Sequence, residues 1–378
     1  MGPFGSNIKV DCFVNSGVPV LNGANLQGFK LREDSFNYVT TEKADSLNKA
    51  NAYRGDIVIT HRGTLGQIVY IPNDSKYERY VISQSQFRVR VNPEMALPEY
   101  VVFYFHTRIG QHRLLANASQ VGVPAIARPS TTFKKVEIDL PSLKEQKRIV
   151  GILNSLSVKI DLNNRINHNL EEQIQERFDA MTASDNGLGY CSVSDFVDIN
   201  PKRTLKKDIL AKCIDMSYLS TTGPFPLGWE EKEYNGGMKF QNGETIMARI
   251  TPCLENGKVA YVNFLEEGEV AFGSTEYIVL RSTEAVPPEF TYFLARNKSF
   301  VDYATKNMNG SSGRQRVSGD TIGKYMIPII DNDALREFSD FASPSMNVIK
   351  NNSFENRSLA ATRDALLPLL LSGGLRIE

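Results

Sequence analysis

Two short stretches hold the residue types that could do chemistry. One is Thr60, His61, Arg62, Gly63, Thr64, Leu65, Gly66, Gln67. The other is Arg249, Ile250, Thr251, Pro252, Cys253, Leu254, Glu255, Asn256, Gly257, Lys258. Both mix cations, hydroxyls and amides with glycine. Arg, Asn and Gln can pair bidentately with base edges, Thr and Lys can reach phosphates, and glycine lets backbone come close to a ligand. A second set is Ser83, Gln84, Ser85, Gln86 against Ser274, Thr275, Glu276. A third is Arg128 with Ser130 to Thr132 against Ser311, Ser312, Arg314, Gln315, Arg316. Any one polar loop is ordinary surface. The recurrence of each set at a corresponding place is what singles these out.

Catalytic patterns are missing. There is no GxxxxGK[ST] phosphate loop, no GxGxxG after a strand, no GxSxG elbow, no HExxH and no [DN]PP[YF]. His61, His106, His112 and His168 are scattered, and no sequence-close carboxylates pair as acid and base. The chain is expected not to be an enzyme. Cys12, Cys191, Cys213 and Cys253 form no CxxC, so they are expected to be free thiols in a reducing compartment, with no zinc site. No apolar run has signal-peptide or membrane-span length, which predicts a cytoplasmic protein with no membrane partner. The 378 residues carry 43 Lys+Arg and 43 Asp+Glu. A zero net charge argues against gripping nucleic acid by bulk electrostatics alone.

The elements that position the polar sets come in duplicate. GDIVITHRGTLGQIVYIP from Gly55 and GETIMARITPCLENGKVAYVNF from Gly243 both read as Gly-acidic, strand, glycine-containing loop, strand. LPEYVVFYFHTRIG (97–110) matches PPEFTYFLARNKSF (287–300), predicting amphipathic helices over 99–115 and 289–305. After each half comes a proline-poor run of helix formers. Its 3,4 seam includes Leu153, Ile160, Asn163, Asn167 and Leu170 in the first, and Ile349, Asn352, Asn356 and Leu359 in the second. Two equivalent helices can pack antiparallel about a pseudo-two-fold, which predicts Asn163 near Asn356 and Asn167 near Asn352. Ser343-Pro344 reads as a helix start, predicting a kink there or a short helix ahead of the long one.

The expected layout is a first mixed unit (1–142), a first helix and linker with Ser184, Gly187 and Gly189 (143–186), a second mixed unit (187–332) and a second helix (333–378). The first unit holds 16 basic and 12 acidic residues, net +4, and the second 16 and 18, net −2; each helical segment is net −1. The second unit opens with YCSVSDFVDINPKR, for which the first has no match, so either the first unit is expected to lack an edge strand or the sequence is expected to start late.

On GDIVITHRGTLGQIVYIP with its SQS segment, on LPSLKEQKRIVGILNSLSVKIDLNN and on RDALLPLLLSGGLRIE, the chain resembles the specificity (S) subunits of type I restriction–modification systems. The likeness covers almost the whole chain. It implies an α+β fold: two pseudo-repeated α/β target-recognition domains separated by two long antiparallel, coiled-coil-like helices. Each domain would read half of a split double-stranded DNA site. The residues expected at DNA are Thr60, His61, Arg62, Thr64, Gln67, Gln84, Gln86, Arg128, Arg249, Thr251, Asn256, Lys258, Ser274, Thr275, Arg314, Gln315 and Arg316. The helices, about 55 Å long at 1.5 Å per residue, would set the gap between half-sites. They would also dock two methyltransferase (M) subunits, with restriction/translocase (R) subunits completing the complex. S-adenosylmethionine, ATP and Mg would belong to those partners, leaving this subunit without cofactor or metal. The isolated chain would bind DNA weakly. A duplicated protein-interaction scaffold, or the reader of a restriction enzyme outside type I, remain the alternatives.

Overall fold

The computed structural model describes residues 2, 7–119, 122–183, 187–311 and 313–375. Ser184 and Ser312 lie outside them. The chain divides into two compact units, residues 1–158 with 359–378 and residues 159–358, so each unit takes part of both long helices.

The first unit runs β1 (Val18–Leu21), β2 (Asn37–Val39), α1 (Thr41–Ser46), β3 (Asn51–Tyr53), β4 (Ile57–Thr60), β5 (Ile68–Tyr70), β6 (Arg79–Ile82), β7 (Gln86–Val89), α2 (Pro98–His106), α3 (Arg108–Leu115), β8 (Ala118–Ser119), β9 (Ala125–Ile126) and α4 (Pro129–Phe133). Then comes the long helix α5 (Leu143–Ala183). The second unit has β10 (Tyr190–Ser192), β11 (Val197–Ile199), β12 (Leu210–Ile214), β13 (Glu230–Glu233), β14 (Met238–Phe240), β15 (Glu244–Ala248), β16 (Val259–Val262), β17 (Ala271–Gly273), β18 (Tyr277–Ser282), α6 (Phe290–Arg296), α7 (Lys298–Lys306), α8 (Gly319–Gly323) and β19 (Met326–Pro328). The second long helix is α9 (Asn332–Leu371).

The duplication extends to strand pairing. Sheet β2-β1-β6-β3 has the same order as β13-β12-β17-β14. In both, an early strand runs parallel to a late one, Val20 opposite Val81 and Cys213 opposite Phe272. Sheet β5-β4-β7 corresponds to β16-β15-β18, which carries β11 as a fourth strand. Among the described residues of the first unit, nothing answers to β11 or to the β10–β19 pair. The central strands Ile57–Thr60 and Glu244–Ala248 are buried along their whole length. Their β-branched side chains suit a strand covered on both faces.

The structure corrects two expectations. Each internal helix is two helices, 98–106 then 108–115 and 290–296 then 298–306. The break falls where a side chain can cap a new start: Thr107 accepts from the Gly110 amide and Asn297 from the Phe300 amide. The second long helix has no start at Pro344. It begins at Asn332, with Asp331 accepting from the Ala334 amide, and runs through the proline. Pro344 gives up one helical hydrogen bond, but Phe338, Ala342, Met346 and Ile349 are buried in the core on both sides and hold the helix in line.

Within the second unit α5 and α9 are antiparallel. Asn163 Nδ2 donates to Asn356 Oδ1 (2.9 Å) and Glu355 Oε2 (2.7 Å), and Asn352 Nδ2 donates to Asn167 Oδ1 (2.9 Å). Asn167 donates to Ser353 Oγ and Asn356 to Asn164 Oδ1. Leu170 and Ile349 join the apolar core beside this ladder, and Ile160 is half-buried. Within the first unit, Leu153 packs with Ile149, Val150, Leu367 and Leu370, and Leu359 is half-buried.

Candidate nucleic-acid interface

In the first unit the three polar sets converge through backbone bonds. The loop after β4 is tied to the 83–86 turn by the His61 amide donating to Ser85 O (2.8 Å). It is tied to the β8–β9 hairpin by the Ile126 amide donating to His61 O and the Gly63 amide to Pro124 O, both 2.9 Å. Gly63 and Gly66 adopt φ of +89° and +90°, a left-handed backbone that glycine takes without strain. Arg62, Thr64, Gln84 and Arg128 are exposed.

The second unit repeats these ties. The Arg249 amide donates to Glu276 O and the Val317 amide to Arg249 O, both 3.0 Å. The Thr251 amide donates to Gln315 O (3.1 Å), and Arg316 bridges to Asn309 and Ile250. Thr251-Pro252 is cis. Asn256, Thr275 and Arg314 are exposed.

Several expected contact residues are engaged inside the protein. Thr60 Oγ1 donates to Gln67 Oε1 (2.9 Å), and Gln67 Nε2 donates to Gly23 O (3.0 Å). Gln86 is buried and accepts from the Ser83 amide. Lys258 Nζ donates to Met216 O (2.7 Å). Thr251 Oγ1 donates to Glu255 Oε1 (3.3 Å), and Ser274 Oγ accepts from the Glu276 amide. Arg316 forms an ion pair with Glu276 (2.7 Å), which holds that carboxyl below its ordinary range. Arg249 is half-buried with its Nε enclosed. His61 meets Gln84 O (3.2 Å), and partial burial lowers its pKa, favouring the neutral ring. The first unit thus offers an outward set of Arg62, Thr64, Gln84 and Arg128, and the second Asn256, Thr275 and Arg314, with Gln315 half-buried between them.

Sequence reasoning missed the residues that brace the loops. Gln111 Nε2 donates to Gly66 O (3.0 Å), and Arg296 donates to Gly257 O and Thr221 O. It also missed how the acidic residue opening each central strand is neutralised. Asp56, fully buried, is held by Arg90 (2.6 Å) and Arg88 (3.3 Å) from strand β7 and just beyond. Its counterpart Glu244, also fully buried, is held by Arg203, forty-one residues upstream. Burial raises the Glu244 pKa despite that partner. Among the described residues no His, Cys, Asp and Glu cluster could hold a metal. All four cysteines are free, and no helix is long and apolar enough to cross a membrane.

Two α+β units of one topology, each bringing three polar segments to one surface, together with a matched pair of long helices, define a duplicated recognition protein. Residues 8–172 match the type I restriction modification DNA specificity domain. The type I restriction enzyme MjaIX specificity subunit of Methanocaldococcus jannaschii is 23% identical, over 86% of this chain and 78% of that one. The EcoAI specificity subunit of Escherichia coli is 28% identical over 35% of this chain and 23% of its own. The fold is that of the type I restriction–modification S subunit from M. genitalium, with a TM-score of 0.59 at 13% identity over 96% of this chain and 91% of that one. The first unit and the start of the first long helix thus carry the match to the type I DNA specificity domain, and the chain as a whole is similar to the specificity subunits of type I restriction–modification systems.

Proposed function

We propose that each unit reads one half of a bipartite double-stranded DNA site, with Arg62, Thr64, Gln84 and Arg128 outermost in one reader and Asn256, Thr275, Arg314 and Gln315 in the other. The observation that carries this is the twin convergence of the three polar segments, His61 on Ser85 and Ile126 as Arg249 is on Glu276 and Val317. Exposed arginines and amides on a glycine-shaped rim suit base edges and phosphates. The 41-residue and 40-residue helices set the spacing between half-sites, against half-site centres about 34–36 Å apart on one turn of DNA. They also dock the methyltransferase subunits; Leu162 and Ile166, 51% and 38% exposed on α5, are apolar surface available for that contact. Restriction subunits complete the assembly in the cytoplasm. The chain supplies recognition, while S-adenosylmethionine, ATP and Mg are used by its partners. The near-neutral charge fits a reader whose partners provide much of the phosphate grip, so the chain alone binds duplex weakly and with steep salt dependence.

Co-expression with the methyltransferase of the same operon, followed by mapping of methylated adenines, tests this. A split motif with two fixed halves is expected. No association and no motif would sink the reading in favour of a protein scaffold.

A further inference from the structure

Gly66 and Gly257 stand at the same place of the repeat, each closing its polar loop just before the next strand, and both have positive φ, +90° and +69°. A side chain from the internal helices holds each one, and the two units use different chemistry. In the first unit it is Gln111, a neutral amide whose Nε2 donates to Gly66 O (3.0 Å) and Phe105 O (2.7 Å). In the second it is Arg296, the last residue of α6, whose Nη1 donates to Gly257 O and Thr221 O, both 3.3 Å. A Cβ on Gly257 would lie 3.0 Å from that Nη1, so the absence of a side chain lets the cation come close.

The other side of the guanidinium faces α5. Arg296 Nε lies 3.8 Å from Glu171 Oε1, and the Tyr292 hydroxyl, one turn earlier on α6, donates to the same oxygen (2.5 Å). The contact continues along α5 at every fourth residue. Gln175 Nε2 donates to Phe293 O (3.2 Å), and Asp179 Oδ1 accepts from Asn297 Nδ2 (2.9 Å). Glu171 and Arg296 are 14% and 29% exposed, so the pair is partly shielded from water and less screened than an open surface pair. At the offset that matches Asn163 with Asn352, Glu171, Gln175 and Asp179 become Ala360, Asp364 and Pro368 of α9. In the match of 97–110 with 287–300, Tyr292 and Arg296 become Val102 and His106. The repeat positions of the first unit therefore do not carry this set of side chains.

Resting on the reading of each unit as a half-site reader, we propose that Arg296 is a positioning residue for the half-site read by the second unit. It acts behind the loop, not on DNA. It fixes the Gly257 end of the loop that presents Asn256, and it registers that loop to α5 through Glu171. The loop keeps its backbone bonds without it, because the Asn256 amide donates to Pro252 O and the Gly257 amide to Leu254 O. What is lost is the direction in which Asn256 points and the link to the helix.

The test assembles the full complex with its methyltransferase and measures methylation of duplexes that carry one base change in one half-site. The second unit's half-site is the one that Arg314→Ala weakens. Arg296→Gln keeps an amide donor but loses the charge that meets Glu171. Its preference for matched over mismatched duplex should fall at least about tenfold, about 1.4 kcal/mol, for changes in that half-site, and stay at the wild-type level for the other. Glu171→Gln should move the same preference in the same direction by a smaller factor. Arg296→Lys, which keeps the charge but not the fork, should lie between Arg296→Gln and wild type. Urea midpoints read by Trp229 separate positioning from folding. Equal loss at both half-sites, or a loss confined to variants whose second unit is unfolded in the assay, would overturn the proposal. A wild-type complex that methylates no split motif would remove the reading of the units as readers and this inference with it. A wild-type split motif with variants that discriminate like the wild type would overturn this inference alone.

Discussion

Replacing Arg203 with alanine should destabilise the second unit selectively. Glu244 is fully buried, and after the change its remaining partner is the Gln241 amide (2.7 Å). Stranding one member of a buried ion pair costs about 3–5 kcal/mol. Two things pull the value toward the lower end. The Gln241 bond persists, and burial already raises the Glu244 pKa, so the carboxyl can escape by taking a proton. The sign follows from that direction. A folded pKa above the unfolded value means the folded state holds the proton more tightly, so the group's contribution is full below about 4.5 and is lost as pH rises through the folded value. The deficit should therefore be largest at pH 7.5 and shrink toward pH 5. Urea unfolding followed by tryptophan fluorescence reads this unit alone, because the single tryptophan, Trp229, lies in it, stacked on Phe264. Adding Glu244→Gln to Arg203→Ala should recover most of the loss. A cost under about 1 kcal/mol at pH 7.5, or one that does not change with pH, would refute the reasoning.

In the first unit the same loss is shared, so Arg88→Ala should cost about 1–2 kcal/mol, with Arg90 still on Asp56, as measured by hydrogen exchange of β4. Arg62→Ala should weaken recognition of one half-site and Arg314→Ala, from the exposed set of the second unit, the other, each by about 1–3 kcal/mol in binding; effects of both on the same half would break the two-reader assignment. A double-mutant cycle of Asn163→Ala and Asn356→Ala should return a coupling of about 0.5–3 kcal/mol, and additivity would show that the ladder is incidental. His106 donates from Nε2 to Ile68 O (2.9 Å), and burial lowers its pKa. Its stabilising effect is present above about 6.5 and lost as pH falls. Protection of α2 and β5 should fall on acidification, and His106→Gln should flatten that slope.

Pattern that repeats was legible. The Gly-acidic strand openings gave β4 and β15, and the seam asparagines, read as antiparallel equivalents, fall beside each other as 163 with 356 and 167 with 352. What needs a partner far along the chain was not. Gln67 and Lys258 look like free binding groups in their loops, yet their partners Gly23 and Met216 lie more than forty residues away. Arg316 is spent on Glu276, forty residues away in the chain. Pro344 misled because a local helix-start signal was outweighed by burial of the residues around it.

The asparagine ladder limits how the helix pair can change length. A slip of one heptad would bring Asn163 against Ile349, or Asn356 against Leu170, and leave each amide facing hydrocarbon at about 1–3 kcal/mol. An all-leucine seam would tolerate that slip. This one does not, so a turn inserted in one helix requires a compensating turn in the other, and viable length variants should come as matched pairs of insertions placed on either side of the amides.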